Sequence, residues 1–215
     1  EALTIDPDYA DAHNNLGVVN SKLGLPDEAL KSFKKAIDIM TKELTINPDD
    51  ADTHNNLGIA FFEIEYFEDS IISYKKALDI KPNFAEGHNN IGAVLQRVNQ
   101  HEDAIISFKK AYEIDPKIDY ILGNILGAKM NCCNWNGLAE LLDEAQKRIV
   151  NNEKVIDSYT LTGLIDDPAL QRKATELRVN ANHPINHTLP TIDQYPKHPK
   201  IRIGYFSADF REHPV

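Results

Sequence analysis

Along the first half of the chain, apolar residues return every three or four positions, the spacing of one face of a helix. Leu30, Phe33, Ile37, Met40 and Leu44 form one such stripe, and Ile121, Leu122, Ile125 and Leu126 form another. Short polar stretches with a proline interrupt the stripes at Pro48, Pro82 and Pro116, each preceded by an Ile-X step. The pattern also repeats in its letters. Ala-His-Asn-Asn-Leu-Gly at 12–17 returns as Thr-His-Asn-Asn-Leu-Gly at 53–58 and Gly-His-Asn-Asn-Ile-Gly at 87–92, and Lys-Lys-Ala recurs at 34–36, 75–77 and 109–111. A fixed period of this size is the signature of a stacked array, in which each unit buries its apolar face only against its neighbours.

The second spacing is 34 residues at every landmark. Counted from Ala10, Ala51 and Ala85, the eighth residue is Gly17, Gly58 or Gly92, and the twentieth is Ala29, Ser70 or Ala104. The twenty-fourth is Phe33, Tyr74 or Phe108, and the twenty-seventh is Ala36, Ala77 or Ala111. This arrangement of small and aromatic positions resembles the tetratricopeptide repeat. The resemblance implies an all-α fold, a right-handed α-α superhelix of two-helix units whose first helices line the inner surface. The first spacing is 41 residues, seven too many. Seven residues are nearly two turns at 3.6 per turn, so the insertion keeps its phase and predicts one long helix over 27–46. A break near Met40 followed by a short new helix is the alternative.

A fourth unit opens at Asp119 without an eighth-position glycine. Its second helix is expected from Trp135 to Val150 with Asn134 as N-cap. Two further helices are expected near Val155–Ile165 and from Pro168 to Asn182, the latter with Asp167 before a first-turn proline. The expected organisation is therefore three repeats over 1–118, a degenerate fourth repeat and capping helices over 119–182, and a proline-rich linker over 183–200. Ile201 to Phe206 alternates and is β-prone, the one strand-like segment, so 201–215 reads as the truncated start of another domain. Because Glu1 already falls within a helical pattern, the chain is expected to be cut from a longer polypeptide.

The net charge is −10. It lies unevenly: residues 1–118 carry 12 basic and 21 acidic side chains, and 119–215 carry 11 and 12. Nucleic-acid binding needs clustered Lys and Arg, so none is expected as a partner. No apolar run of membrane-spanning length occurs, so no membrane is expected either. The two cysteines, Cys132 and Cys133, are adjacent; they suit neither a disulfide framework nor a zinc site, and fit a reducing cytoplasm.

The sixth position of each unit is an asparagine: Asn15, Asn56, Asn90 and Asn124. In the resembling fold this position points into the groove. A carboxamide both donates and accepts, so a ladder of them suits the backbone of an extended peptide whatever its side chains. Asn14, Asn55 and Asn89 at the fifth position join the candidate peptide-binding set. His13, His54 and His88 recur at the fourth position, each on a different unit and without a second ligand at i+3 or i+4, so packing rather than metal binding is expected.

Three further elements follow the repeats in order: Cys133-Asn134-Trp135, Asp166-Asp167-Pro168-Ala169-Leu170-Gln171, and Arg202 through Pro214. That order is similar to the O-linked N-acetylglucosamine transferase family, including its bacterial members, with Asn134 where the family has Asp. The resemblance implies that the repeats recruit protein substrates to Rossmann-like catalytic domains absent from this sequence. These would use UDP-N-acetylglucosamine as donor to serine or threonine, with His213 as a candidate catalytic residue of the full-length enzyme only. The 215 residues themselves are expected to bind no cofactor and to catalyse nothing. The alternative is a free-standing scaffold without enzyme activity.

Overall fold

The computed structural model describes residues 2–182, which contain eleven helices and no strand. The linker expected over 183–200, the strand-like segment at 201–206 and His213 lie outside the described residues. After a short α1 (Ala2–Ile5), the helices pair as α2 (Ala10–Lys22) with α3 (Pro26–Ile46), α4 (Ala51–Glu63) with α5 (Phe67–Ile80), and α6 (Ala85–Arg97) with α7 (His101–Ile114). Then come α8 (Ile121–Asn131), α9 (Leu138–Val150), α10 (Ser158–Thr162) and α11 (Pro168–Asn182).

Each hairpin turns on its fifteenth residue, which takes a left-handed conformation: Gly24 (φ 71°), Glu65 (φ 63°) or Asn99 (φ 62°). The next amide reaches back to a carbonyl five residues earlier, Leu25 to Asn20 at 2.9 Å, Tyr66 to Phe61 at 2.8 Å and Gln100 to Leu95 at 2.8 Å. This closes the helix on its own last carbonyls and sends the chain back antiparallel. The eighth-position glycine then lets the ring of position twenty-four lie on bare backbone. A Cβ on Gly17 would stand 2.6 Å from the Phe33 ring, one on Gly58 2.7 Å from Tyr74, and one on Gly92 2.7 Å from Phe108. In the second hairpin, Ser70 at position twenty adds a hydrogen bond from its Oγ to the Gly58 carbonyl, 2.8 Å. Burial pushes the Tyr74 hydroxyl well above the ordinary tyrosine range.

The long second helix is continuous through Met40 and has 21 residues, where α5 and α7 have 14. Its buried stripe is Ala29, Phe33, Ala36, Ile39 and Met40. Leu30 falls off that stripe and is 39% exposed, a shift from the expected face. The last turns overhang the neighbouring repeat, and Ile46 at the tip is 86% exposed.

The first helices of successive units touch one another, α2 on α4, α4 on α6 and α6 on α8, whereas α3, α5 and α7 do not. The stack therefore curves with α2, α4, α6 and α8 on its inner side. At the far end, α8 is buried on most of its circumference, as a largely apolar helix is expected to be, with half-buried Asn124 left on the inner side. Ile121, Ile125 and Ala128 join the core of the third repeat, and Leu122 and Leu126 join a separate cluster with Ile149, Val155 and Leu161.

Two expected boundaries are corrected here. The helix expected from Trp135 starts at Leu138, and Asn134 does not cap it. Asn134 instead ends α8: Cys133 takes the left-handed turn (φ 52°) and the Asn134 amide closes on the Lys129 carbonyl at 2.9 Å. Its Oδ1 is occupied by the Asn136 amide and the Lys129 ammonium, both at 3.2 Å. The helix expected over 155–165 shrinks to α10, because residues 154–155 run extended across α8. The Tyr120 and Gly123 amides donate to the Lys154 and Val155 carbonyls at 2.6 and 2.8 Å. Asp157 then caps α10 from its side chain, and Asp167 caps α11 through the Ala169 and Leu170 amides.

Candidate functional site: the concave asparagine ladder

The inner face is built from the helices that open each unit, so the fifth and sixth residues of each lie where neighbouring units meet. The sixth-position amides bridge the units. Asn90 Nδ2 donates to Asn55 Oδ1 at 3.2 Å, and Asn124 Nδ2 donates to Asn89 Oδ1 at 3.0 Å. The fifth position thus supplies acceptors to the next unit. Asn55 is buried and Asn89 half-buried, so their amides serve first to join helices. Asn56, Asn90 and Asn124 remain half-buried, and their carboxamide oxygens have no partner among the described residues. Asn15, the first rung, is exposed, and its side chain makes no hydrogen bond among the described residues.

The rung across the long helix slips. Asn56 Nδ2 meets Asp11 Oδ1 at 2.8 Å, one turn before the expected fifth-position partner on α2. Asn14 is left only 7% exposed with its buried Oδ1 unpaired among the described residues. An unsatisfied buried carbonyl of this kind costs about 1–3 kcal/mol.

The histidines act as staples. His13, His54 and His88 place Nε2 2.8, 2.9 and 2.9 Å from the carbonyls of Pro7, Pro48 and Pro82. A carbonyl only accepts, so Nε2 carries the hydrogen in all three. Each staple ties the start of an inner helix to the preceding turn. Among the described residues no group of three or more His, Cys, Asp and Glu is placed to hold a metal.

Residues 8–83 match a family model described as tetratricopeptide repeat, and residues 85–118 match a second, together just over half of the chain. The chain belongs to the tetratricopeptide-repeat family. Among solved structures it is similar to a crystal structure of MamA, at 22% identity and a TM-score of 0.50, over 68% of this chain and 82% of that one. It is also similar to the first such domain of Spaghetti (RPAP3) bound to an HSP90 peptide, SRMEEVD. That match has 17% identity and a TM-score of 0.48, over 58% of this chain and 93% of that one. No curated protein matches the chain. Tetratricopeptide repeats generally mediate protein–protein interaction. No helix among the described residues is long and apolar enough to cross a membrane.

Two cavities open beside the tetratricopeptide ladder. One, of about 500 Å³, adjoins Asn56 and is walled by Asp11, Glu43, Asp50 and Asp52 with Tyr9 and Ile46. Burial, reinforced by the carboxylates of Asp11, Asp50 and Asp6, raises the Glu43 carboxyl above the usual range. The other, of about 540 Å³, adjoins Asn124 and is walled by Gln96, Arg97, Asn99, His101 and Asn131. The excess of acidic residues over 1–118 raised an acidic groove for basic partner segments as a possibility, whereas the second cavity was not anticipated from sequence. The acidic second position of every repeat (Asp11, Asp52, Glu86) was a legible signal for the first cavity; Glu43 required knowing that the long helix stays straight.

Proposed function

We propose that the concave face grips an extended segment of a protein substrate and delivers it to a glycosyltransferase of which this chain is the recruiting part. The observation that carries the reading is the ladder itself. Asn56, Asn90 and Asn124 each spend one N–H on the neighbouring repeat and keep a carbonyl oxygen free on the inner face, spaced from repeat to repeat. A peptide backbone can donate to that row without regard to its side chains. The enzyme part of the proposal rests on the sequence order from Cys133 to Pro214, which resembles O-linked N-acetylglucosamine transferases. On this reading the full-length protein takes UDP-N-acetylglucosamine as donor, and His213 belongs to its active site.

Two measurements test it. Asn15→Ala removes the rung that bonds to no neighbouring repeat, so peptide capture falls while the thermal midpoint stays put. Asn90→Ala also breaks an inter-repeat bond, so it lowers both affinity and stability, the latter by about 1 kcal/mol. Unchanged capture in both variants would sink the groove. For the enzyme, the full-length polypeptide is assayed for transfer of labelled sugar to protein acceptors. No transfer to any acceptor leaves the second reading, a free-standing scaffold.

A further inference from the structure

We infer that the groove is graded in charge and selects an extended segment of another protein carrying a basic residue about five or six positions from an acidic one; this rests on the groove being a peptide site. At the Asn56 end the cavity presents four carboxylates and no cation. Three of them are already engaged, Asp11 with Asn56, Asp50 with the Asp52 and Thr53 amides, and Asp52 with the Lys81 ammonium at 3.6 Å. Glu43 is not: its carboxylate has no side-chain or amide partner and is crowded by like charges. A ligand ammonium or guanidinium there would pair with the one carboxylate of the wall that lacks a partner.

At the Asn124 end the sign reverses. Arg97 is held only by a 3.7 Å contact to Glu65, both largely exposed, and His101 has a buried Nδ1 without a partner among the described residues. Amides make up most of the remaining wall, which suits a carboxylate. Asn56 and Asn124 stand on α4 and α8, two inner-helix steps apart, or roughly 16–20 Å at ordinary helix spacing. An extended chain covers that in about five or six residues. The seven-residue helix extension is what makes the acidic end, because it carries Glu43 and Ile46 over the start of the next repeat.

The test uses the 215-residue chain and four fluorescent peptides of one length and one neutral polar spacer, ending Lys/Glu, Lys/Gln, Gln/Glu and Gln/Gln at that separation. Lys/Glu is expected to bind tightest, with roughly three- to tenfold lost for each charge removed at low salt and the differences shrinking as salt screens them. Glu43→Gln should abolish only the advantage of lysine, and Arg97→Gln only the advantage of glutamate. Four equal affinities, or an equal loss for all peptides in either variant, overturn the charge grading while leaving the peptide groove intact. Failure of every peptide to bind overturns the groove and the grading together.

Discussion

The three regular hairpins and the segment that caps them share two parts and differ where the helices of a hairpin meet. In all four units the fifteenth residue takes the left-handed turn, Cys133 standing where Gly24, Glu65 and Asn99 stand. In all four the carbonyl of the preceding proline is held. Three histidines hold it in the regular units, and in the fourth, where position four is Leu122, Arg148 reaches from α9 to the Pro116 carbonyl at 2.8 Å. The difference is at positions eight and twenty-four, the latter Leu142 in place of the aromatic ring. Leu126 replaces glycine, no aromatic ring can seat on the helix, and α9 barely meets α8. The space goes to the extended strip around Val155 and Ile156, admitted by Gly123, where a Cβ would stand 3.0 Å from the Ile156 Cα. The array thus ends where the bare patch of backbone and the ring that seats on it are both lost, although the helix keeps its apolar face.

The contrast can be broken most strongly at the glycines. Gly92→Ala drives a methyl into the Phe108 ring and should lose about 1–3 kcal/mol. Gly127→Ala on α8 meets nothing nearer than 3.6 Å and should gain up to about 1 kcal/mol from helix propensity. Denaturant midpoints that move together would refute this account of where the hairpins close. The caps should behave alike in both regions. Asp50 and Asp157 each accept two amides and the hydroxyl of a threonine three residues on, so either Asp→Ala change should cost about 1 kcal/mol.

A smaller test concerns Lys129, which is 2% exposed with Asn134 as its hydrogen-bond partner. Burial, then the nearby Lys109, holds its ammonium below the ordinary 10.5. The folded protein therefore gives up this proton before the unfolded chain does, and stability rises as pH climbs from the folded value towards 10.5. Lys129→Met should flatten that rise, and Asn134→Asp should raise the lysine's pKa; an unchanged pH profile in Lys129→Met would show that the ammonium is solvated. The smallest effect is expected at Glu65, where Gly relieves a left-handed glutamate and should gain a few tenths of a kcal/mol.

The repeats were legible because their period, their glycines and their aromatic positions are local marks of one recurring contact. Even the straight course of α3 followed from phase alone. The cap was harder to read because its partner is not a helix. Trp135 to Gly137 looks helical by pattern, yet Asn134 is consumed by the turn behind it, and Gly137 sits at φ 66°. The site was half legible for a related reason. The sixth-position asparagines stand out in one sequence, but their pairing with Asp11, Asn55 and Asn89 depends on how far one unit is displaced against the next.

The slipped rung between the first two units bears on the order in which the array comes apart. In a stacked protein each joint opens on its own local free energy, and the joint with an unmatched buried carbonyl is the shallowest well. Amides of α2 should therefore exchange with solvent ahead of those in α4 and α6, and α8, gripped on both faces, should be among the last to yield. Exchange in α2 no faster than in α4 would show that the orphaned Asn14 oxygen does not loosen the first joint.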